Sequence, residues 1–517
     1  MRLTQALHRS LQQQPLATAT VFQGRRHSFI QFHERVARLA AALRQLGLKD
    51  FDRVGMLALN SDRYLEYYQA CFWAGLTVNP CNIRWSAAEV AYSLDDCDTR
   101  VLIVDDTFKA MGAELKKQSK ALQTVIYAGD GATPAGMLAY ETILAAATPM
   151  EDNCGSDGDL AGIFYTGGTT GFPKGVMLTH ASIHASAMAI AADAIGYDAI
   201  LLHAAPMFHA ADFALSMAQC IRGGAHTFVP AFNPAGVLET IQAERVTHTI
   251  WVPTMVQMVA DFPEIKNYDV SSLQTIVYGA SPMNERVLER AMQALPGAGF
   301  IQAYGMTELS PVASILPPYH HTEEGRKSGK MRSAGRTALC SRIKIVDEEG
   351  AEVPRGTVGE VIVQGANVMK GYWNKPAETA AAVRDGWMHT GDGGYMDEDG
   401  FIFIMDRMKD MIISGGENVY SSEVENAITQ HPAVAASAVI GIPDEKWGEL
   451  VHAVVVRKAG AEVSDAELIA HCKQRIAGYK CPRSVAFVAA LPVSGAGKIL
   501  KKDLREPYWR DRQRRVN

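Results

Sequence analysis

The run Tyr165-Thr166-Gly167-Gly168-Thr169-Thr170-Gly171-Phe172-Pro173-Lys174-Gly175 gathers glycines, hydroxyls and a lysine, the residue types that suit a polyphosphate. Glycine lets backbone amides approach an anion closely, threonine hydroxyls donate hydrogen bonds, and an ammonium supplies countercharge. The spacing departs from the P-loop, in which Gly-Lys is followed directly by Ser or Thr. Here Lys174 is followed by Gly175 and Val176, which argues against a P-loop kinase or ATPase. Taken alone, the run also fits a Gly/Thr surface loop, since both residues are common in connections.

Four further motifs follow it: Tyr304-Gly305-Met306-Thr307-Glu308, Gly386-Trp387-Met388-His389-Thr390-Gly391-Asp392, Asp406-Arg407-Met408-Lys409-Asp410, and Gly497-Lys498. In this order the set resembles the adenylate-forming superfamily of acyl-CoA synthetases, 4-coumarate-CoA ligases and luciferases. The resemblance covers nearly the whole chain. It implies an α/β fold: a large amino-terminal domain of stacked α/β sheets with a β subdomain (1–405), a hinge (406–409), and a small mobile α+β lid (410–517). It also implies two half-reactions in one cleft. A carboxylate attacks the α-phosphorus of ATP to give an acyl-adenylate and pyrophosphate, then the thiol of coenzyme A displaces AMP. The expected activity is an AMP-forming acid-CoA ligase using ATP, Mg2+ and coenzyme A. Its rivals are an enzyme that passes the adenylate to another acceptor, such as oxygen or a carrier protein, and a nucleotide-binding protein without catalysis.

Each site residue carries a chemical expectation beside a plainer one. Thr166, Gly167, Gly168, Thr169, Thr170, Gly171 and Lys174 would hold the β- and γ-phosphates, with Mg2+ sharing their charge. By resemblance Glu308 is the metal contact and Thr166 adds a hydroxyl; otherwise Glu308 is an acid at a helix start. Tyr304 would stack on adenine, with Gly279, Ala280, Ser281, Gln302, Ala303, Gly305, Met306 and Thr307 around it. Asp392 would accept the ribose hydroxyls and Arg407 contact ribose or phosphate, against readings as a turn aspartate and an exposed ion pair. Lys498, in a loop of small residues, occupies the position of the family's catalytic lysine and would bridge carboxylate and α-phosphate. Lys409 is at the family's hinge position. Ser414, Gly415 and Gly416 would line the pantetheine tunnel, and Trp447, with Gly448, Lys480 and Arg483 as looser candidates, would touch coenzyme A. His209, in Pro206-Met207-Phe208-His209-Ala210, would gate the acyl pocket beside Phe213 and Trp251; a His or Trp on an apolar segment equally packs in the core. The bulk of Trp251 favours medium-chain or aromatic acids over very long chains. Gly167 stands where Ser is frequent in the family, and Ala303 where Gly is frequent.

With 517 residues, 48% hydrophobic and 21% charged, the chain is globular and long enough for two or more domains. A net charge of -6 argues against a nucleic-acid partner, leaving a small-molecule carboxylic acid, ATP and CoA as the expected partners. The basic tail from Lys501 reads as a solvated terminus; a peripheral membrane contact and a homodimer stay open. The start lacks the features of a secretory signal and no apolar stretch reaches about 18 residues, so the expected location is cytoplasmic. Eight scattered cysteines without zinc spacing read as reduced thiols.

The elements that must carry these motifs alternate. Helical spacing over Arg35 to Leu46 and Ala87 to Leu94 intersperses with strands at Arg53 to Leu59, Val101 to Val104, Ala225 to Val229, Thr249 to Val252 and Thr275 to Tyr278. This predicts parallel sheets covered on both faces. A strand entering a turn over Ile343 to Gly350 and its successor at Gly359 to Val363 predict a small, mainly β unit, and Phe401 to Met405 one more strand before the charged run.

Overall fold

A computed structural model describes residues 2–166, 173–281, 283, 285–408, 410–414, 417–444, 447–494 and 497–510. Apolar runs such as Val101–Val104 are buried along their whole length, because parallel strands are covered on both faces. They assemble into two large sheets. One has nine strands in the order 336–337, 312–316, 299–305, 275–279, 248–251, 200–203, 225–228, 18–22 and 25–28; the other has eight, in the order 371–372, 174–179, 160–166, 77–80, 53–57, 101–104, 124–127 and 138–139. Helices with explicit start signals separate the strands. Ser28 and Gln31 form a capping box at the head of helix Phe29–Gln45, and Ser86 and Glu89 do the same for Ala87–Asp96. The main core runs between the sheets through Val36, Tyr64, Phe72, Phe164, Leu178 and Phe213, and a second cluster around Trp251, Ile276, Tyr278 and Phe300 packs on the nine-stranded sheet.

A five-stranded antiparallel sheet follows, built from Ser341–Val346, Gly359–Gly365, Trp387–Met396 and Val383–Arg384, with Ile402–Arg407 paired to Trp387–Met396. The last strand runs beyond the predicted Met405, because its pairing continues through Gly393 opposite Asp406 and Asp392 opposite Arg407. Two residues of the charged run are therefore ladder residues.

The remaining strands, Ile412–Ser414, Glu417–Val419, Val434–Asp444, Gly448–Arg457 and Ser484–Phe487, form a fourth sheet with its own core of Ile412, Val424, Val439, Val451 and Leu468. The helix Lys501–Trp509 is tied to this unit by Lys501 to Glu425 (2.8 Å), Arg505 to Asp410 (2.5 Å) and the Trp509 indole to the Gly441 carbonyl (2.9 Å). Among the described residues no helix is long and apolar enough to cross a membrane.

Candidate active site

Strands Leu160–Thr166 and Lys174–Thr179 pair antiparallel with Thr166 directly opposite Lys174, so the two ends of the glycine-rich run meet. Gly167, Gly168, Thr169, Thr170 and Gly171 lie outside the described residues. The short strand Gly371–Tyr372 pairs with Lys174–Thr179, placing Tyr372 opposite Val176. From there Tyr372 does two things. Its ring lies 5.0 Å beneath the Lys174 ammonium, and its hydroxyl donates to Glu308 Oε1 at 2.8 Å. Burial and the Glu308 carboxylate both push the Tyr372 hydroxyl pKa up, so it remains a donor.

Glu308 sits in the single turn Thr307–Leu309 and is only 7% exposed. Its other oxygen has no hydrogen-bond partner among the described residues. A buried carboxylate with one oxygen oriented and one available suits a hard cation that takes its remaining ligands from phosphates and water. Among the described residues no group of three His, Cys, Asp or Glu side chains could hold a metal ion. Glu308 would hold Mg2+, and Thr166, half-buried at its strand end opposite Lys174, would add a hydroxyl; the ion would supply countercharge to the phosphates.

The nucleoside candidates come from two parallel neighbours, Thr275–Gly279 and Gly299–Gly305, paired with Gly279 opposite Ala303. That register brings Ala280 and Ser281 beside Gln302, Ala303 and Tyr304. The approach is close: a Cβ on Gly279 would collide with the Ala303 carbonyl, and one on Gly305 with the Pro311 carbonyl. Ala280 has φ +68°, a left-handed conformation that costs a non-glycine residue about 1 kcal/mol or more and is common where a binding surface dictates the backbone. Met306 and Thr307 continue from Tyr304 towards Glu308, half-buried.

Asp392, 6% exposed, joins this group from the antiparallel sheet. Tyr304 donates its hydroxyl to Asp392 Oδ2 at 2.7 Å, and Arg407 Nε meets Oδ1 at 2.7 Å. The ion pair follows from the ladder, in which the two residues are direct partners. An ionised carboxylate accepts about four hydrogen bonds, so Asp392 keeps acceptor sites for two hydroxyls. Burial works against the Arg407 charge, but Asp392, Tyr304 and Glu308 outweigh it and raise its pKa. Burial and Asp392 also hold the Tyr304 hydroxyl protonated. Glu360 fixes the turn that presents Asp392, accepting from the Gly391 amide at 3.0 Å and pairing with His389 at 2.7 Å.

Lys498 rides on a tight turn. The Ser494 amide donates to the Lys498 carbonyl at 2.7 Å, the Lys498 amide to Ser494 Oγ at 3.1 Å, and Val493 bridges to Ile499. Gly497, at φ +76°, lets the turn reverse, and a Cβ there would press Val252 and Thr254 at 3.1 and 3.2 Å. The turn thus seats against the segment that leaves strand His248–Trp251. Burial lowers the pKa of the half-buried Lys498 ammonium and the nearby Arg407 charge adds to this, while Asp392 and Glu308 act in the opposite direction. His209 caps helix Ala210–Arg222, accepting weakly from the Ala211 amide at 3.5 Å, and burial followed by the charge of Lys498 pushes its pKa down to about 4. It is neutral at physiological pH. Phosphate-end, ribose and lysine candidates therefore share one electrostatic neighbourhood, although they come from all four sheets or their connections.

The other candidates are placed differently. Phe213 is buried in the main core, its ring 4.8 Å from both Tyr68 and Phe164. Trp251 is fully buried in the second cluster, and its indole N–H has no partner among the described residues. Lys409, Gly415 and Gly416 lie outside the described residues. Ser414 is buried and pairs with Gly448, next to Trp447, whose ring lies 4.2 Å under the Arg483 guanidinium. Lys480 is paired with Glu423 at 2.8 Å. Tyr372 and Glu360 escaped the motif reading; the only signal for Tyr372 was an aromatic after glycine in Gly371-Tyr372-Trp373.

Residues 7–373 match the family model of the AMP-binding enzyme, and residues 423–498 that of the AMP-binding enzyme C-terminal domain. The chain belongs to the AMP-binding enzyme family. This AMP-binding enzyme is 39% identical to a feruloyl-CoA synthase of Amycolatopsis sp over 496 residues, covering 96% of each chain. It is 36% identical to the medium/long-chain-fatty-acid--CoA ligase FadD8 of Mycobacterium tuberculosis over 507 residues, 94% of this chain and 86% of the relative. Its fold superposes on the ATP-bound crystal structure of MatB from Rhodopseudomonas palustris with a TM-score of 0.88 at 30% identity, covering 98% of this chain and 99% of that one.

Proposed function

We propose that this enzyme activates a medium- or long-chain fatty acid or an aryl acid, using the residues gathered around Lys498. The enzyme is an ATP-dependent, AMP-forming acid-CoA ligase. The observation that carries the residue assignment is the convergence of Glu308, Asp392, Arg407 and His209 on one lysine turn. In the first half-reaction the glycine-rich run and Lys174 bind the β- and γ-phosphates, Tyr372 orients Glu308, and Asp392, aligned by Tyr304 and Arg407, accepts the ribose hydroxyls. The Lys498 ammonium lies between the attacking carboxylate and the α-phosphate, where negative charge accumulates as the new P–O bond forms and pyrophosphate leaves. Neutral His209 borders the acyl side without competing for that charge. In the second half-reaction the lid, residues 410–517, turns about 406–409, withdraws Lys498, and brings Ser414, Gly415, Gly416 and Trp447 to the coenzyme A path. The thiol sulfur then attacks the acyl carbonyl and AMP departs.

The relatives support both halves of the substrate proposal, one acting on an aryl acid and the other on fatty acids. Trp251 and Phe213 are the proposed bulk that limits chain length. We place the reaction in the cytoplasm, where ATP and coenzyme A are supplied and the eight free thiols stay reduced. The test is AMP and pyrophosphate release across fatty, aryl and short branched acids with and without CoA. CoA-dependent thioester with one acid class supports the reading; pyrophosphate without thioester assigns another acceptor.

A further inference from the structure

The Lys498 turn is not held by its own lid alone. Arg84, 410 positions earlier in the chain, donates from Nη1 to the Ser494 carbonyl at 3.0 Å. Ser494 is the residue on which the turn closes. Its carbonyl also accepts from the Gly497 amide at 2.9 Å, its amide donates to the Lys498 carbonyl, and its hydroxyl accepts from the Lys498 amide. A group that grips this carbonyl therefore fixes the backbone from which the Lys498 side chain projects. Arg84 is itself mounted firmly. It follows strand Thr77–Pro80 in a turn in which its own amide donates to Asn82 Oδ1 at 3.0 Å, and two residues on stands Ser86, the cap of helix Ala87–Asp96. Arg84 is an exposed residue with no acidic partner among the described residues, so a carbonyl of the lysine turn is where its charge is directed.

We propose that Arg84 is a positioning residue for the adenylation half-reaction: it docks the lysine turn on the eight-stranded sheet and leaves the second half-reaction untouched. The inference rests on the acid-CoA ligase reading for its kinetic consequence, but not for its structural one. Arginine suits the task because its planar guanidinium stays charged and directs its donors in a fixed geometry. The contact must break whenever the lid carries Lys498 away, so it biases the lid towards the adenylating arrangement without contributing to thioester formation.

Two measurements on purified Arg84→Ala and Arg84→Lys test this. The first is acid-dependent ATP–pyrophosphate exchange, set against thioester formation from supplied acyl-adenylate and CoA. Arg84→Ala is expected to lower the kcat of exchange about three- to tenfold, as for loss of one exposed charge-assisted hydrogen bond, with KM for ATP within about twofold and thioester formation unchanged. Arg84→Lys recovers part of the loss. The second is the rate of tryptic cleavage after Lys498 in the protein without substrates, which rises in Arg84→Ala because the turn undocks. Equal loss in both half-reactions, a rise in ATP KM as the main effect, or unchanged exchange with unchanged cleavage would each overturn the docking role. Faster cleavage in Arg84→Ala, with no pyrophosphate exchange by the wild-type protein on any acid of the panel, would retain that role and reject the ligase reading.

Discussion

Replacing Tyr372 by Phe removes one oxygen and leaves almost everything else in place. The ring beneath Lys174 and the backbone pairing with Val176 remain, so the change isolates the 2.8 Å hydrogen bond to Glu308. A hydrogen bond to an ionised group contributes about 1.5–3 kcal/mol, and loss of one from a buried carboxylate leaves it poorly oriented. At about 1.4 kcal/mol per factor of ten, kcat/KM for MgATP in the adenylation step should fall roughly ten- to hundredfold. The Mg2+ concentration giving half-maximal exchange should rise with it, because Glu308 is the proposed metal contact. Thioester formation from supplied adenylate, which uses no triphosphate, should hold within about twofold, given that the transition states differ in charge. The assay is acid-dependent ATP–pyrophosphate exchange titrated with Mg2+. A variant that matches wild type across the titration would refute the claim that Tyr372 orients Glu308, and a loss cured by no Mg2+ concentration but shared by both half-reactions would assign Tyr372 to folding.

Lys498→Ala should nearly abolish exchange while sparing thioester formation from acyl-adenylate; equal loss in a folded variant would reject lid switching. Asp392→Ala should raise KM for ATP about tenfold or more, since it strips Arg407 and Tyr304 of their shared partner as well as the proposed ribose acceptor; unchanged ATP kinetics would remove it from that role. Gly305→Ala should lower both melting temperature and exchange, because the new Cβ would meet the backbone at Pro311, which cannot move aside as a side chain would; an unaltered protein would contradict that packing. Burial lowers the pKa of His248 from 6.5 to about 4. Between those values the unfolded chain takes a proton that the folded chain refuses, so stability is complete above pH 6.5 and falls as pH drops towards 4, by up to roughly 3 kcal/mol from this site. Thermal melts of His248→Gln should show a shallower acid slope than wild type, and identical slopes would show that His248 is not the neutral buried group described.

Local sequence decided much of this protein. The presence of the strands and helices followed from apolar periodicity, as at Val101 to Val104 and Ala87 to Leu94, because burial on both faces is a local demand, whereas the helix expected from Arg35 begins at Phe29 behind the Ser28 cap. The five motifs announced an adenylate-forming enzyme through their resemblance, in order, to that superfamily, an order visible along the chain without a fold. Tertiary structure alone decided which groups meet. Tyr372 reaches Glu308 because a two-residue strand joins the eight-stranded sheet beside Lys174, and Arg407 reaches Asp392 because a strand continues two residues past its apolar stretch. Arg84 reaches the lysine turn across 410 residues of chain. None of these partners has a periodic or compositional signature. A hydrogen bond between distant residues is fixed by where two backbones stop relative to each other, and that depends on the packing of everything between them.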